Sequence, residues 1–214
     1  QLVFAVLLAA FTYISLQKLF HPGWLFGLFV VMIPFYLILT VARSHNIEYL
    51  NGIFEMKNAS MPIFVSQPYI YIANNYDNFN FLVGALPGHS FGLKGLFPLW
   101  ALSGLKFFFP QLINFPIYVD KTELTTLTLF YDSYYDFGWI GVLLFSCILG
   151  AIAYILVVKL REMRNPLGYL LYAQFAAYLM LSFFTTWFSN TTTWFYLILT
   201  GIMALFYHLR ASRW

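Results

Sequence analysis

The chain has 214 residues, of which 61% are hydrophobic, 22% aromatic and 9% charged, with a net charge of +3. An ordinary soluble domain carries roughly 25% charged residues, so this composition excludes a conventional soluble fold and points to an integral membrane protein. The small, scattered positive balance excludes nucleic-acid binding, and the single cysteine, Cys147, permits no internal disulfide.

A membrane-crossing helix needs about 20 apolar residues, because the hydrocarbon layer is roughly 30 Å thick. In chain order, the first uncharged run is Gln1–Gln17. It has no initiator Met, basic leader or small-residue cleavage site before Lys18, which favours a spanning helix over a signal peptide. The missing Met leads us to expect the C-terminal part of a longer polytopic protein, with 1–214 forming a single transmembrane domain. Trp24–Ala42, Phe137–Val158, Leu167–Trp187 and Thr191–Leu209 follow as expected spans, the last two parted by Ser189-Asn190-Thr191. The expected fold class is all-α: a polytopic transmembrane helical bundle of about five spans plus a large membrane-associated external loop.

Basic residues collect on the cytoplasmic side in short loops and helix flanks. Lys18, Lys159, Arg161, Arg164, Arg210 and Arg213 flank the runs, accompanied by one acid, Glu162. The segment 43–136 holds the other five basic residues, Arg43, Lys57, Lys94, Lys106 and Lys121, with seven acids. It is therefore expected outside, with the C-terminus cytoplasmic. Met61–Pro87 and Leu96–Phe109 within it are rich in Phe, Tyr, Leu and Pro, which suits amphipathic or re-entrant pieces buried against other protein. Phe97-Pro98 is expected to break a straight helix.

Ionisable residues available for external chemistry concentrate in this segment. If the stretch before the third span is helical, the four-residue spacing puts Asp132 and Asp136 on one face. Burial and mutual repulsion would then fit one of them to accept a proton; two interfacial acids within an aromatic tyrosine belt are the alternative. His89, Lys94, Arg43 and His45 offer positive or titrating groups for a diphosphate leaving group, although an Arg at position 43 also fits simple snorkelling at a helix end. Solvated loop charge is the plain alternative for each. HExxH, CxxC, GxGxxG, Walker A and Asp-x-Asp patterns are absent from the sequence.

Three stretches carry a family likeness: Tyr71-Ile72-Ala73-Asn74-Asn75-Tyr76-Asp77-Asn78-Phe79-Asn80, His89-Ser90-Phe91-Gly92, and Tyr131-Asp132-Ser133-Tyr134-Tyr135-Asp136-Phe137-Gly138-Trp139-Ile140-Gly141. Over roughly residues 40–155 the chain resembles bacterial oligosaccharide repeat-unit polymerases, the Wzy-type polymerases of O-antigen, capsule and exopolysaccharide. The resemblance implies a multi-pass plasma (inner) membrane glycosyltransferase that joins repeat units carried on undecaprenyl diphosphate at the outer face. Family loops carry arginines for the diphosphates; here Arg43 is the only external Arg, so Lys94 or Lys121 would share that role. The implied catalytic set is Asp136, Asp132, His89 and Arg43, and the implied substrate-binding set is Lys94, Lys121, Asn75, Tyr76, Asp77, Tyr131 and Tyr135. The lipid carrier already activates the donor, so neither nucleotide nor metal is expected. Expected partners are the lipid-linked oligosaccharide, membrane lipids, a chain-length regulator and a flippase. A flippase of the same lipid-linked sugars, an O-antigen ligase, an acyltransferase acting on the polysaccharide and a purely structural membrane subunit are the competing readings. Charges buried within the spans would mark a transporter, and the four clear spans hold none besides His208 near an end.

Overall fold

The computed structural model describes residues 2–17, 47–162, 165–183 and 185–211, together with isolated positions between 23 and 34. The regular elements among these residues are all helical, with no strand among them. The helices are α1 (Leu2–Gln17), α2 (Ile47–Ile53), α3 (Ile63–Ala85), α4 (Phe97–Leu102), α5 (Tyr131–Glu162), α6 (Pro166–Met180) and α7 (Thr191–Ala211). Single 3-10 turns lie at Leu105–Phe107, Pro110–Leu112 and Trp187–Ser189.

Among the described residues, two helices are long and apolar enough to cross a membrane: α5 over Tyr131–Lys159 and α7 over Thr191–Arg210. Their large apolar side chains mostly point away from the rest of the chain, as with Ile140 at 69% exposed and Ile202 at 60%. A core helix of a soluble protein would bury them. α1 and α6 have 16 and 15 residues; at 1.5 Å per residue they reach about 24 and 22 Å, short of the roughly 30 Å hydrocarbon layer. Most of the expected span Trp24–Ala42, together with Arg43 and His45, lies outside the described residues.

The expected span Leu167–Trp187 is not one helix: α6 ends at Met180, and carbonyls on either side of that end take other partners. The Ser182 hydroxyl donates to Tyr178 O at 2.7 Å, Ser182 O accepts Leu129 N–H at 3.0 Å, and the Trp187 indole donates to Leu181 O at 3.2 Å. Phe97-Pro98 opens α4 rather than breaking a helix: Pro98 falls in the first turn, where the missing N–H would have had no helical partner.

α5 is interrupted at Gly138, whose φ of 62° and ψ of −148° are open essentially to glycine alone. The chain turns there, and the next turn is pressed onto the preceding limb, so that a Cβ on Gly141 would lie 2.2 Å from Ser133 O. Limb 131–137 is thereby set apart from limb 139–162. The core at this joint comprises Leu82 of α3 with Tyr131, Tyr134 and Tyr135, supported by Phe79, Phe115, Tyr118 and Leu127. α6 packs along both α1 and α7, while α4 rests on α7. A second apolar cluster, Leu149, Phe175, Tyr178 and Phe188, ties α5 to α6 and to the turn before α7.

Candidate functional site

The site starts from α3. Asn74 and Asn78, four residues apart, fall on its buried face with Ile70 and Leu82. Both amides donate to Leu124 O, at 2.9 and 2.7 Å. Asn74 also donates to Thr126 Oγ1 at 3.2 Å and Asn78 to Thr126 O at 2.9 Å. Asn78 Oδ1 accepts Asp120 N–H at 3.0 Å. This non-helical stretch has no ladder of its own, so the asparagines supply the partners that its backbone requires. Upstream, Tyr131 does the same for Tyr118: its hydroxyl donates to Tyr118 O at 2.7 Å and accepts Tyr118 N–H at 2.8 Å.

With the stretch fixed, limb 131–137 presents two buried acids. Asp136 is 3% exposed. It accepts the Ser90 hydroxyl, Lys94 N–H at 3.1 Å and Gly95 N–H at 2.7 Å. Backbone bonds from Ser90 N to Tyr135 O and from Phe91 N to Asp136 O complete the join. The loop 89–95 is thus folded around one carboxylate, each charge-assisted bond contributing about 1.5–3 kcal/mol.

That fold aims Lys94 at the other acid. Lys94 Nζ lies 3.6 Å from Asp132 Oδ1, and both side chains are largely buried. The ammonium also sits over the Tyr135 ring at 4.7 Å and the Tyr131 ring at 5.7 Å from the centroids, the geometry in which ring faces attract a cation. Ser189 and Thr186, from the turn between α6 and α7, lie beside Asp132. A buried carboxylate requires such compensation, since desolvation alone would cost several kcal/mol.

His89 lies at the rim. Its Nδ1 is 3.3 Å from Tyr135 O, and its ring meets Tyr134 edge to face at 6.0 Å between centroids. A Cβ on Gly138 would fall 3.1 Å from His89 Nε2, so the helix break makes room for the imidazole. A proton on Nδ1 donated to Tyr135 O leaves Nε2 as an acceptor.

Of the residues singled out from sequence, Asp132, Asp136, His89, Lys94, Tyr131 and Tyr135 come together here. Lys121 does not; it pairs with Glu55 at 2.8 Å and donates to Ile53 O at 3.4 Å. Asn75 is buried within α3 and donates to Tyr71 O, while Tyr76 and Asp77 point outward from α3. Arg43 lies outside the described residues. Sequence reasoning gave no role to Ser90, Gly95, Thr186, Ser189, Asn74 or Asn78. Only the i, i+4 pair of asparagines carried a local signal; the others are defined by partners 40 or more positions away.

The arrangement offers a cation held between an acid and two aromatic faces, and a nearby imidazole acceptor. Comparison of the chain with family models, curated proteins and solved structures finds no match.

Proposed function

We propose that this chain is a membrane-embedded glycosyltransferase that joins lipid-linked oligosaccharide repeat units into a surface polysaccharide at the outer face of a bacterial plasma membrane. The observation that carries the reading is the position of the Lys94 cluster. It forms where α5 and α7 begin and α6 ends, whereas Lys159 and Arg210 lie at the opposite ends of α5 and α7. Basic flanks are cytoplasmic, so the cluster faces outward. α1, α6 and the run 24–42 complete five crossings, the short helices being accommodated by local thinning of the bilayer. Residues 43–136 form the external loop.

The lipid diphosphate is itself the activated donor. A hydroxyl oxygen of the acceptor unit attacks the anomeric carbon of the donor sugar. The anomeric carbon–oxygen bond to the diphosphate breaks, and undecaprenyl diphosphate leaves with the electron pair. The hydroxyl proton passes to His89 Nε2. Tyr135 and Tyr131 are core residues whose rings hold the Lys94 ammonium in place. Asp136 is a positioning residue, since its oxygens are engaged by Ser90, Lys94 and Gly95. Lys94 is already engaged by Asp132, so it alone cannot neutralise a diphosphate and Arg43 supplies the further positive charge.

The test is the length distribution of surface polysaccharide, resolved on a gel, in cells lacking the full-length gene. Single repeat units in place of a ladder support the reading. Normal long chains overturn it, and long chains that accumulate unattached to their final acceptor would identify a ligase instead.

A further inference from the structure

The first half of α3 and the stretch 123–126 enclose a cavity of about 150 Å³ that shares no lining residue with the Lys94 cluster. Its walls combine two aromatic side chains, Phe54 and Tyr71, with Gln67, Asn74, Glu123 and Thr126. We propose that this cavity is a saccharide subsite that takes one neutral hexopyranose ring, presented by the acceptor chain; its place in the reaction rests on the function proposed above.

Three features argue for that ligand. Aromatic faces pack against the apolar C–H faces of a pyranose, while a carboxylate and a side-chain amide match its ring of hydroxyls, the carboxylate as acceptor and the amide as both donor and acceptor. The size admits one ring and little more, since pockets for drug-sized ligands run to roughly 300–1,000 Å³. The charge is wrong for a phosphate: Glu123 is the one charged lining residue, and nearby Lys121 is committed to Glu55 and Ile53 O. Asn74 is already bonded to Leu124 O and Thr126 Oγ1, which fixes the wall and leaves Gln67 and Glu123 to meet the ligand. Occupancy would brace the stretch that runs on to Tyr131 and Asp132.

The experiment is saturation-transfer NMR on the full-length protein in nanodiscs, with methyl glycosides of glucose, galactose and N-acetylglucosamine as probes and inorganic pyrophosphate as the anionic control. The proposal expects at least one glycoside to bind. Exposed Glu123 can be changed without disturbing the core, and Glu123→Gln should raise the Kd roughly tenfold through loss of a charge-assisted hydrogen bond. Gln67→Ala should weaken binding severalfold, and pyrophosphate should not compete. Absence of glycoside binding, binding indifferent to both substitutions, or displacement by pyrophosphate would each overturn the subsite. Glycoside binding that persists in a protein unable to build polymer would sink the proposed function and leave the subsite standing.

Discussion

The Asp136 carboxylate and the Gly95 backbone are in direct contact: Gly95 N–H donates to Oδ2 at 2.7 Å, and a Cβ on residue 95 would lie 2.6 Å from that same oxygen. Gly95→Ala therefore expels the loop from the acid. The expected loss is about 1–3 kcal/mol, read as a lower Tm of the purified protein. Asp136→Asn keeps the size but turns one acceptor into a donor facing N–H groups. It should insert in the membrane, yet be cleaved faster by protease within residues 89–95.

Gly138→Ala attacks the break in α5. Residue 138 sits at φ 62° with His89 Nε2 3.1 Å from its virtual Cβ. Backbone strain of this kind costs about 1–3 kcal/mol, and the added methyl pushes His89 off the rim. Thermal unfolding should fall, and the imidazole resonance of His89 should shift. An unchanged Tm would mean that the chain passes position 138 as continuous helix.

Asn74 and Asn78 share the acceptor Leu124 O, so their substitutions should not add. Either single alanine variant should lose about 1–3 kcal/mol by stranding backbone groups. The double variant should depart from the sum by more than about 0.5 kcal/mol. Additive losses would place the two amides in separate environments.

The Asp132–Lys94 pair predicts an asymmetry between single and paired changes. Removing either partner alone strands a largely buried charge and costs about 3–5 kcal/mol. Lys94→Met combined with Asp132→Leu should recover most of that stability while leaving no polymer formation. Arg43→Ala should lower polymer formation with little change in Tm. Polymer formation that survives the paired substitution would remove Lys94 from the mechanism.

The sequence reading allowed for a helical stretch before the third span, and the helix does begin at Tyr131, but the break at Gly138 was not foreseen. It also placed Asp132 and Asp136 in one neighbourhood. What it missed was the division of labour between them. Asp136 is held by Ser90 and Gly95, while Asp132 pairs with Lys94, contacts that only the folded chain creates. Nor does composition separate a helix of 15 residues from a full crossing: 167–187 is uncharged throughout, yet α6 ends at Met180, where Ser182 O and Leu181 O take partners outside the helix.

The measurement that bears most directly on the central claim is polymer formation by the full-length protein in proteoliposomes supplied with an undecaprenyl diphosphate-linked repeat unit. The account predicts a ladder of chains, with one undecaprenyl diphosphate released per bond formed. With His89→Ala the rate should fall by roughly 10²–10⁴-fold, the ordinary contribution of a positioned general base, while insertion is unchanged. Substrate left intact by the unaltered protein, or a His89→Ala protein that polymerises at the same rate, would contradict it.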